Sequence, residues 1–478
     1  MCASIERVRR SVFRLALVSL LGLVCQPTLA ADAPNIIVIL VDDLRWDEIG
    51  VAGHPYVETP NIDRLAADGA YFRNAFTVAP LCSPSRASFL TGQYIHTHGI
   101  YDNLNRSIQS HRLETFPNAL TDRYHTAFIG KWHMGNDATA RPGFDYWAGM
   151  PGQGAAIDPE FDINGERQVV EGYVTDILTD MSTAFIEQER EEPFLLYLSH
   201  KALHPNVTQR DDGSSTAPPS GPPGFVAADR HKGRYADRQP PRRKSYGFVP
   251  SDKLALMREF VGVTPLGPDS MTTDKTIIER QEMLLGVDDG VGAILESLEA
   301  IGQLDNTLIV FASDHGFWYG EHALGSERRM AYEEGIRIPM ILHYPDKIEA
   351  GSVHDEMVVS LDVAPTVLEL AGAEEHGLNL HGQSMVPLLD GSDTDWRDAF
   401  LIEYYSDTVF GRMRSMGYQA IRTEEHKYIR YTGQQGVDEL YDLTEDPFEL
   451  NNLARYDEQA PFVDEMRQAL DRLLYEKR

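Results

Sequence analysis

The sequence predicts an α/β protein built on an open, largely parallel sheet. Three observations predict it. Short apolar runs recur along the chain, and helical stretches lie between them. Polar residues capable of chemistry stand directly after each run, at the edge where open α/β sheets bind ligands. The runs are also apolar throughout rather than alternating, as expected of strands covered on both faces.

The chain opens with Arg7, Arg9, Arg10 and Arg14, then the apolar run LALVSLLGLVC, then the small residues TLA ending at Ala30. This three-part pattern predicts a secretory signal at residues 1–30. Its apolar core is short for a bilayer span, and no later run resembles one. The mature chain is therefore expected to be soluble, exported to the periplasm or medium, and free of the membrane. Its formal net charge is −30 over 478 residues, and loss of the basic signal deepens that value. Such a balance argues against general nucleic-acid binding. An anionic substrate would need a local positive site.

The first strand is NIIVILV (35–41), followed by Asp42 and Asp43. A helix follows at 60–69. TAFIG (126–130) precedes Lys131, Trp132 and His133; PFLLYLS (193–199) precedes His200, Lys201 and His204; LIVFAS (308–313) precedes Asp314 and His315. A long helix is expected at 276–302. Taken singly, these polar residues read as turn, cap or structural residues. Four strand ends carrying them together point to one site.

The stretch LCSPSRASFLTG (81–92) holds Cys82, the sole cysteine once Cys2 and Cys25 leave with the signal. It has no disulfide partner in its own chain. Pro84 suits a first helical turn, so Cys82 is expected at a helix N-terminus, with Arg86 one turn on. That setting suits an anionic nucleophile or an anionic ligand.

Here the chain resembles the sulfatase family. Cys82, Pro84, Ser85, Arg86, Leu90, Thr91 and Gly92 match its signature, and Phe89 departs from the commoner Leu or Met. IIVILVDDLRWDEIG, TPNIDRLAADG, GKWHMG, SHKALHP, SDHGFWYGEH, YEEGIRIPMIL and ELYDLTEDPFELNNL resemble further family segments, covering residues 34–455. The resemblance implies an alkaline phosphatase-like fold. Its large, mixed, mostly parallel sheet is sandwiched by helices, and a smaller C-terminal α+β subdomain carries an antiparallel sheet. The expected divisions are a catalytic domain at 31–375 and a C-terminal subdomain at 376–478.

The same resemblance implies that Cys82 is oxidised to Cα-formylglycine by a separate maturation enzyme, and that its hydrate is the nucleophile. Asp42, Asp43, Asp314 and His315 match the metal-ligand positions, with residue 82 completing the set. Three carboxylates favour a hard cation, Ca²⁺ first and Mg²⁺ second. His315 stands where many relatives have Asn, which leaves the metal's identity open. Arg86 would hold the hydrated aldehyde, and Lys131 would bridge nucleophile and sulfate. His133 would take the proton that restores the aldehyde. His204 would bind the ester and protonate the leaving oxygen, a role His200 fits less well. Arg328 takes the place of a family lysine on the loop GSERRMAYEE, with Arg329 as the alternative.

A Pro/Gly/Ser-rich insert (206–224) is expected to be a loop. The basic stretch RHKGRYADRQPPRRK (230–244) reads either as a solvated loop or as an anion-binding rim for a sulfated sugar chain. The activity implied is hydrolysis of sulfate esters on a sulfated carbohydrate. The alternatives are a phosphonate or phosphate ester hydrolase using the same nucleophile, and an inert sulfated-glycan-binding protein.

Overall fold

The structure, a computed structural model, describes residues 33–325, 328–373, 377–392, 395–405 and 409–477. The signal expected at 1–30 and the boundary expected at 375/376 lie outside these residues.

A ten-stranded sheet organises the chain. Its strands are β1 (Asn35–Val41), β2 (Ala70–Phe72), β3 (His125–Lys131), β4 (Tyr146–Met150), β5 (Glu160–Ile163), β6 (Glu166–Val169), β7 (Phe194–Ser199), β8 (Thr307–Ser313), β9 (Met340–His343) and β10 (Ser352–His354). The order across the sheet is β10-β2-β9-β8-β1-β7-β3-β4-β5-β6. The run β8-β1-β7-β3-β4 is parallel throughout, and antiparallel pairs flank it on both sides. In register, Val41 faces Ser313, Leu40 faces Ser199, and Ser199 faces Gly130. The residues after these positions therefore emerge on one edge.

The uniformly apolar β1 has a physical reason. Successive side chains of a strand point to opposite faces. Ile37, Ile39 and Val41 pack with helices α1 (Pro60–Ala67), α3 (Val174–Ile186) and α4 (Asp274–Ala300), through Leu65, Leu178 and Val291 among others. Ile36, Val38 and Leu40 pack on the other face with α2 (Cys82–Thr91) and α5 (Val363–Leu370), through Phe89 and Val367. Both faces are dry, so neither set can be polar. Each such side chain contributes about 1.5–3 kcal/mol by leaving water.

Strands β11 (Ala399–Tyr404), β12 (Tyr418–Thr423), β13 (His426–Tyr431) and β14 (Glu439–Asp442) form a separate antiparallel meander. Helix α6 (Ala460–Glu476) covers it with Val463, Met466, Leu470 and Leu474. The core beneath also takes in Phe76, Tyr94, Trp318 and Tyr332 from the first part of the chain. The expected mixed, mostly parallel sheet with a smaller antiparallel sheet is present. No helix among the described residues is long and apolar enough to cross a membrane.

The insert at 206–224 is more ordered than its composition predicts. Thr208–Gln209 ladders with Ser215–Thr216, and Asn206 pairs with Gly224. The Asn206 side chain closes the insert: its Nδ2 donates to Ser220 O and Pro222 O, and its Oδ1 accepts the Ala156 N–H. A fully bonded, buried amide, not an apolar cluster, orders this segment.

Candidate active site

Arg86 links the four strand ends. It lies one turn into α2 and is 2 % exposed. Its Nε donates to Asp314 Oδ2 at 3.0 Å, after β8. Its Nη1 donates to Lys131 O (2.9 Å) at the end of β3 and to Ser199 Oγ (2.5 Å) at the end of β7. Its Nη2 lies 2.9 Å from Asp314 Oδ2 and 3.6 Å from Asp42 Oδ1, after β1. A planar five-donor fork reaches these directions at once; an ammonium could not.

Around this hub the predicted residues come together. Asp42, Asp43, Cys82 and His315 present one ligand atom each, all within 4.8 Å of one another and all buried. The Cys82 Sγ is 3.2 Å from His315 Nε2. His315 Nδ1 donates to Gly316 O at 2.9 Å, which turns Nε2 towards the cluster. Asp314 stands outside that ligand group. Its Oδ1 accepts the N–H of Asp43 (3.1 Å) and of His315 (2.9 Å), and its Oδ2 is held by Arg86. Asp43 has φ 62°, a left-handed conformation uncommon outside glycine. The Asp314 carboxylate and Arg280 Nη2, which donates to Asp43 O at 2.7 Å, hold it there.

The donor set fits a divalent cation. Asp42 Oδ1 and Asp43 Oδ1 are buried without a hydrogen-bond partner among the described residues, in a cluster that also offers a nitrogen and a sulfur. Burial alone would lower His315, yet the negative charge of Asp314, Cys82 and Asp43 raises it to about 10. Such a potential suits positive charge.

Three further cationic or imidazole groups surround the acidic pair. Lys131 Nζ bonds Asp42 Oδ2, and Arg328 Nη2 bonds Asp43 Oδ2. Arg329 instead lays its guanidinium over the Phe410 ring, 3.6 Å from the centroid. Of the two arginines, Arg328 is the one that reaches the cluster. His204 Nδ1 donates to Pro205 O at 2.9 Å, which leaves Nε2 for a ligand. Burial, then Lys131, hold His204 well below the usual histidine range. His133 is likewise lowered by burial and Lys131. His200 is lowered to about 4 by burial and Arg86, and its Nδ1 has no hydrogen-bond partner among the described residues.

Two residues of the site have no role assigned from the sequence. Arg280 lies on α4, is fully buried, and bonds Asp43 O, Leu203 O and Glu48. Nothing in an amphipathic helix pattern marks it. Lys201 is buried beside the cluster, and burial followed by Lys131 lowers it to about 7.

Most cations of the basic stretch 230–244 are paired and not free. Arg230 bonds Asp176 at 2.8 Å through both terminal nitrogens and Asp289 at 2.8 Å; Arg234 bonds Glu58 at 2.6 Å. Arg242 pairs with Asp274, and Arg243 with Glu334 (3.2 Å) and Asp47 (3.5 Å). These cations neutralise carboxylates of the acidic body, a use that the local sequence cannot reveal.

This architecture and constellation fit a hydrolase of anionic esters. The chain belongs to the sulfatase family: the family model described as Sulfatase matches residues 34–373. The model described as N-sulphoglucosamine sulphohydrolase, C-terminal, matches residues 320–476. The enzyme is thus a sulfatase with an alkaline phosphatase-like fold. It is 32% identical to the N-acetylglucosamine-6-O-sulfatase of Bacteroides thetaiotaomicron, over 92% of this chain and 86% of that protein. It is 28% identical to the N-acetylglucosamine-6-sulfatase of Homo sapiens, over 88% of this chain and 81% of that one. A solved structure in complex with its substrate D-glucosamine-2-N,6-O-disulfate is 29% identical and superposes with a TM-score of 0.79, covering 93% of this chain and 98% of that one.

Proposed function

We propose that this enzyme hydrolyses sulfate esters of a sulfated carbohydrate, with a 6-O-sulfated glucosamine unit as the preferred group. The observation that carries the reading is the convergence of Asp42, Asp43, Cys82 and His315 within 4.8 Å, flanked by Lys131, Arg328 and His204. Two relatives named for N-acetylglucosamine 6-sulfate support the sugar.

Asp42, Asp43 and His315 would hold the cation with residue 82, and Asp314, which stands outside that group, would join as the further ligand the family resemblance implies only through a second lone pair of an oxygen already bonded to Arg86 or to a backbone N–H. Ca²⁺ is favoured over Mg²⁺ by the carboxylate oxygens. When bound, a divalent cation supplies Lewis acidity and favours the deprotonated nucleophile. A maturation enzyme converts Cys82 to formylglycine, which provides that nucleophile. Arg86 fixes the start of α2, and so residue 82, against the strand ends. Lys131 and Arg328 bind the sulfate oxygens and neutralise the charge that gathers there. His204, neutral in the free enzyme, gains proton affinity when an anionic ester lies beside it. Its Nε2 then gives a proton to the leaving oxygen. His133 is the base that takes the remaining nucleophile proton. The signal at residues 1–30 directs export and is then removed, leaving a catalytic domain to 375 and a subdomain from 376.

The test is turnover on a defined panel with protein matured by its modifying enzyme. The panel holds N-acetylglucosamine 6-sulfate, glucosamine 2-N,6-O-disulfate, an aryl sulfate, an aryl phosphate and an aryl phosphonate. The 6-O-sulfated sugars should give the highest kcat/KM, chelation should abolish turnover, and peptide mass spectrometry should find an aldehyde at residue 82. Preference for the phosphonate, or full activity with an unmodified thiol, would sink the reading.

A further inference from the structure

We infer that Gln209, contributed by the insert, is a positioning residue that fixes His133 as its Nε2–H tautomer and leaves Nδ1 as the bare nitrogen. The inference rests on the reading of His133 as the base.

The amide of Gln209 has only one possible orientation. One end lies 2.6 Å from the backbone carbonyl of Asn103, which can only accept, so that end must be Nε2. The other end is therefore Oε1. It accepts from Gln153 Nε2 at 2.9 Å and lies 2.5 Å from His133 Nε2. An oxygen that only accepts forces the proton onto His133 Nε2. Burial, then Lys131, disfavour a second proton on the ring, so it is neutral. Nδ1 consequently carries a lone pair. It is buried and has no partner among the described residues.

The bonds around it close a ring. Ser83, adjacent to the nucleophile position, donates its Oγ–H to His133 O at 2.5 Å. The Ser83 N–H donates to Asn103 Oδ1 at 3.0 Å. Asn103 O in turn accepts from Gln209, and Gln209 Oε1 accepts from His133. The ring joins the start of α2, the end of β3, the segment 100–105 and the insert. His133 itself has φ 64°, a backbone state that a bulky residue does not choose unaided. Two groups therefore hold it: Ser83 fixes the backbone and Gln209 fixes the ring. A base is useful only when its lone pair, not its N–H, meets the proton it must accept. A ring bound in the other tautomer has the right geometry and the wrong chemistry.

The experiment uses full-length matured enzyme with nitrogen-15-labelled histidine, its His133 signals assigned by their loss in His133→Gln. Wild-type His133 should be protonated at Nε2 and bare at Nδ1. Gln209→Met, of similar volume but without acceptor or donor, should give a mixture of tautomers. It should lower kcat about 10²-fold on an aryl sulfate while KM stays within about twofold. Whatever the kcat of His133→Gln says of the base assignment, a wild-type ring protonated at Nδ1 overturns the inference. So does a Gln209→Met enzyme with wild-type kcat and tautomer. A His133→Gln enzyme with undiminished kcat overturns the base assignment, and with it the purpose of the tautomer. Should Gln209→Met fail to fold, the wild-type tautomer alone decides.

Discussion

Arg86 shows how one side chain joins packing to chemistry. Its donors meet Asp314, Lys131 O and Ser199, from three strand ends, and its charge faces Asp42 on a fourth. Burial alone would weaken its hold on its proton, but Asp314 and Asp42 raise it further above the solvent range. Arg86→Lys keeps the charge and loses the fork, so two or more buried acceptors lose their partner. The expected cost is about 3–5 kcal/mol of stability, read as a lower denaturant midpoint. Turnover should fall by about 10²-fold or more, because residue 82 and the acidic pair are no longer held in one frame. A variant with unchanged midpoint and kcat would show that the hub is redundant. That Arg86 mattered was legible from its place in a helix beside Cys82. Its four-way role was not, because Ser199 and the carbonyl of Lys131 become partners only after strands far apart in sequence are paired.

At the scale of elements, legibility followed burial. The long parallel strands and α4 are dry on the faces that define them, so the apolar runs at 35–41, 126–130, 193–199 and 308–313 locate them within a residue or two. β6 reads ERQV, is exposed along its whole length, and carries no periodic signal. β2 and β10 are three residues each, too short to show a period. Contacts between elements were the least legible, as α1 and α4 illustrate. Asp288 on α4 caps the first turn of α1. Its Oδ1 accepts the N–H of Asn61 (3.0 Å) and Ile62 (2.9 Å), and its Oδ2 accepts from Asn61 Nδ2 (3.0 Å). Burial raises this carboxyl to about 6 against the pull of those donors. The unfolded chain releases the proton near pH 4. Between about pH 4 and 6 the folded state therefore binds more protons, and the stability contributed by this group falls as pH rises, then levels. Asp288→Ala leaves those donors without an acceptor, at about 1–3 kcal/mol. The thermal midpoint of the variant should lie below wild type, by more at pH 4.5 than at pH 7. A deficit that grows with pH would contradict the assigned shift.

For the whole molecule, the question is whether the C-terminal sheet is an appendage or part of the catalytic body. The segment 329–336 follows Arg328 directly and is held from the other side by that sheet. Tyr418 OH donates to Arg329 O at 2.9 Å. Tyr332 OH donates to Glu439 at 2.7 Å, an acceptor shared with Tyr431 and Tyr441. Lys427, fully buried on β13, lies 2.8 Å from Glu449 and 2.9 Å from Glu333. Below this polar layer runs one continuous apolar core drawn from both parts of the chain. An interface that is dry and carries paired buried charges opens only at the cost of those charges and apolar surface together. The two parts should therefore unfold in a single transition, seen at one temperature by far-UV signal, tryptophan fluorescence and activity. Lys427→Met removes the cation that bridges Glu333 and Glu449, leaves Glu333 the longer contact to Arg422 at 3.4 Å, and sets the two buried carboxylates in stronger repulsion. It should cost about 3–5 kcal/mol and lower that single midpoint without splitting it. Turnover should fall along with stability, since the segment after Arg328 loses the shorter of its two ion pairs at Glu333. A calorimetric trace with two transitions, or a Lys427→Met enzyme whose C-terminal sheet melts first while turnover persists, would make the sheet an independent module and detach it from the placement of Arg328.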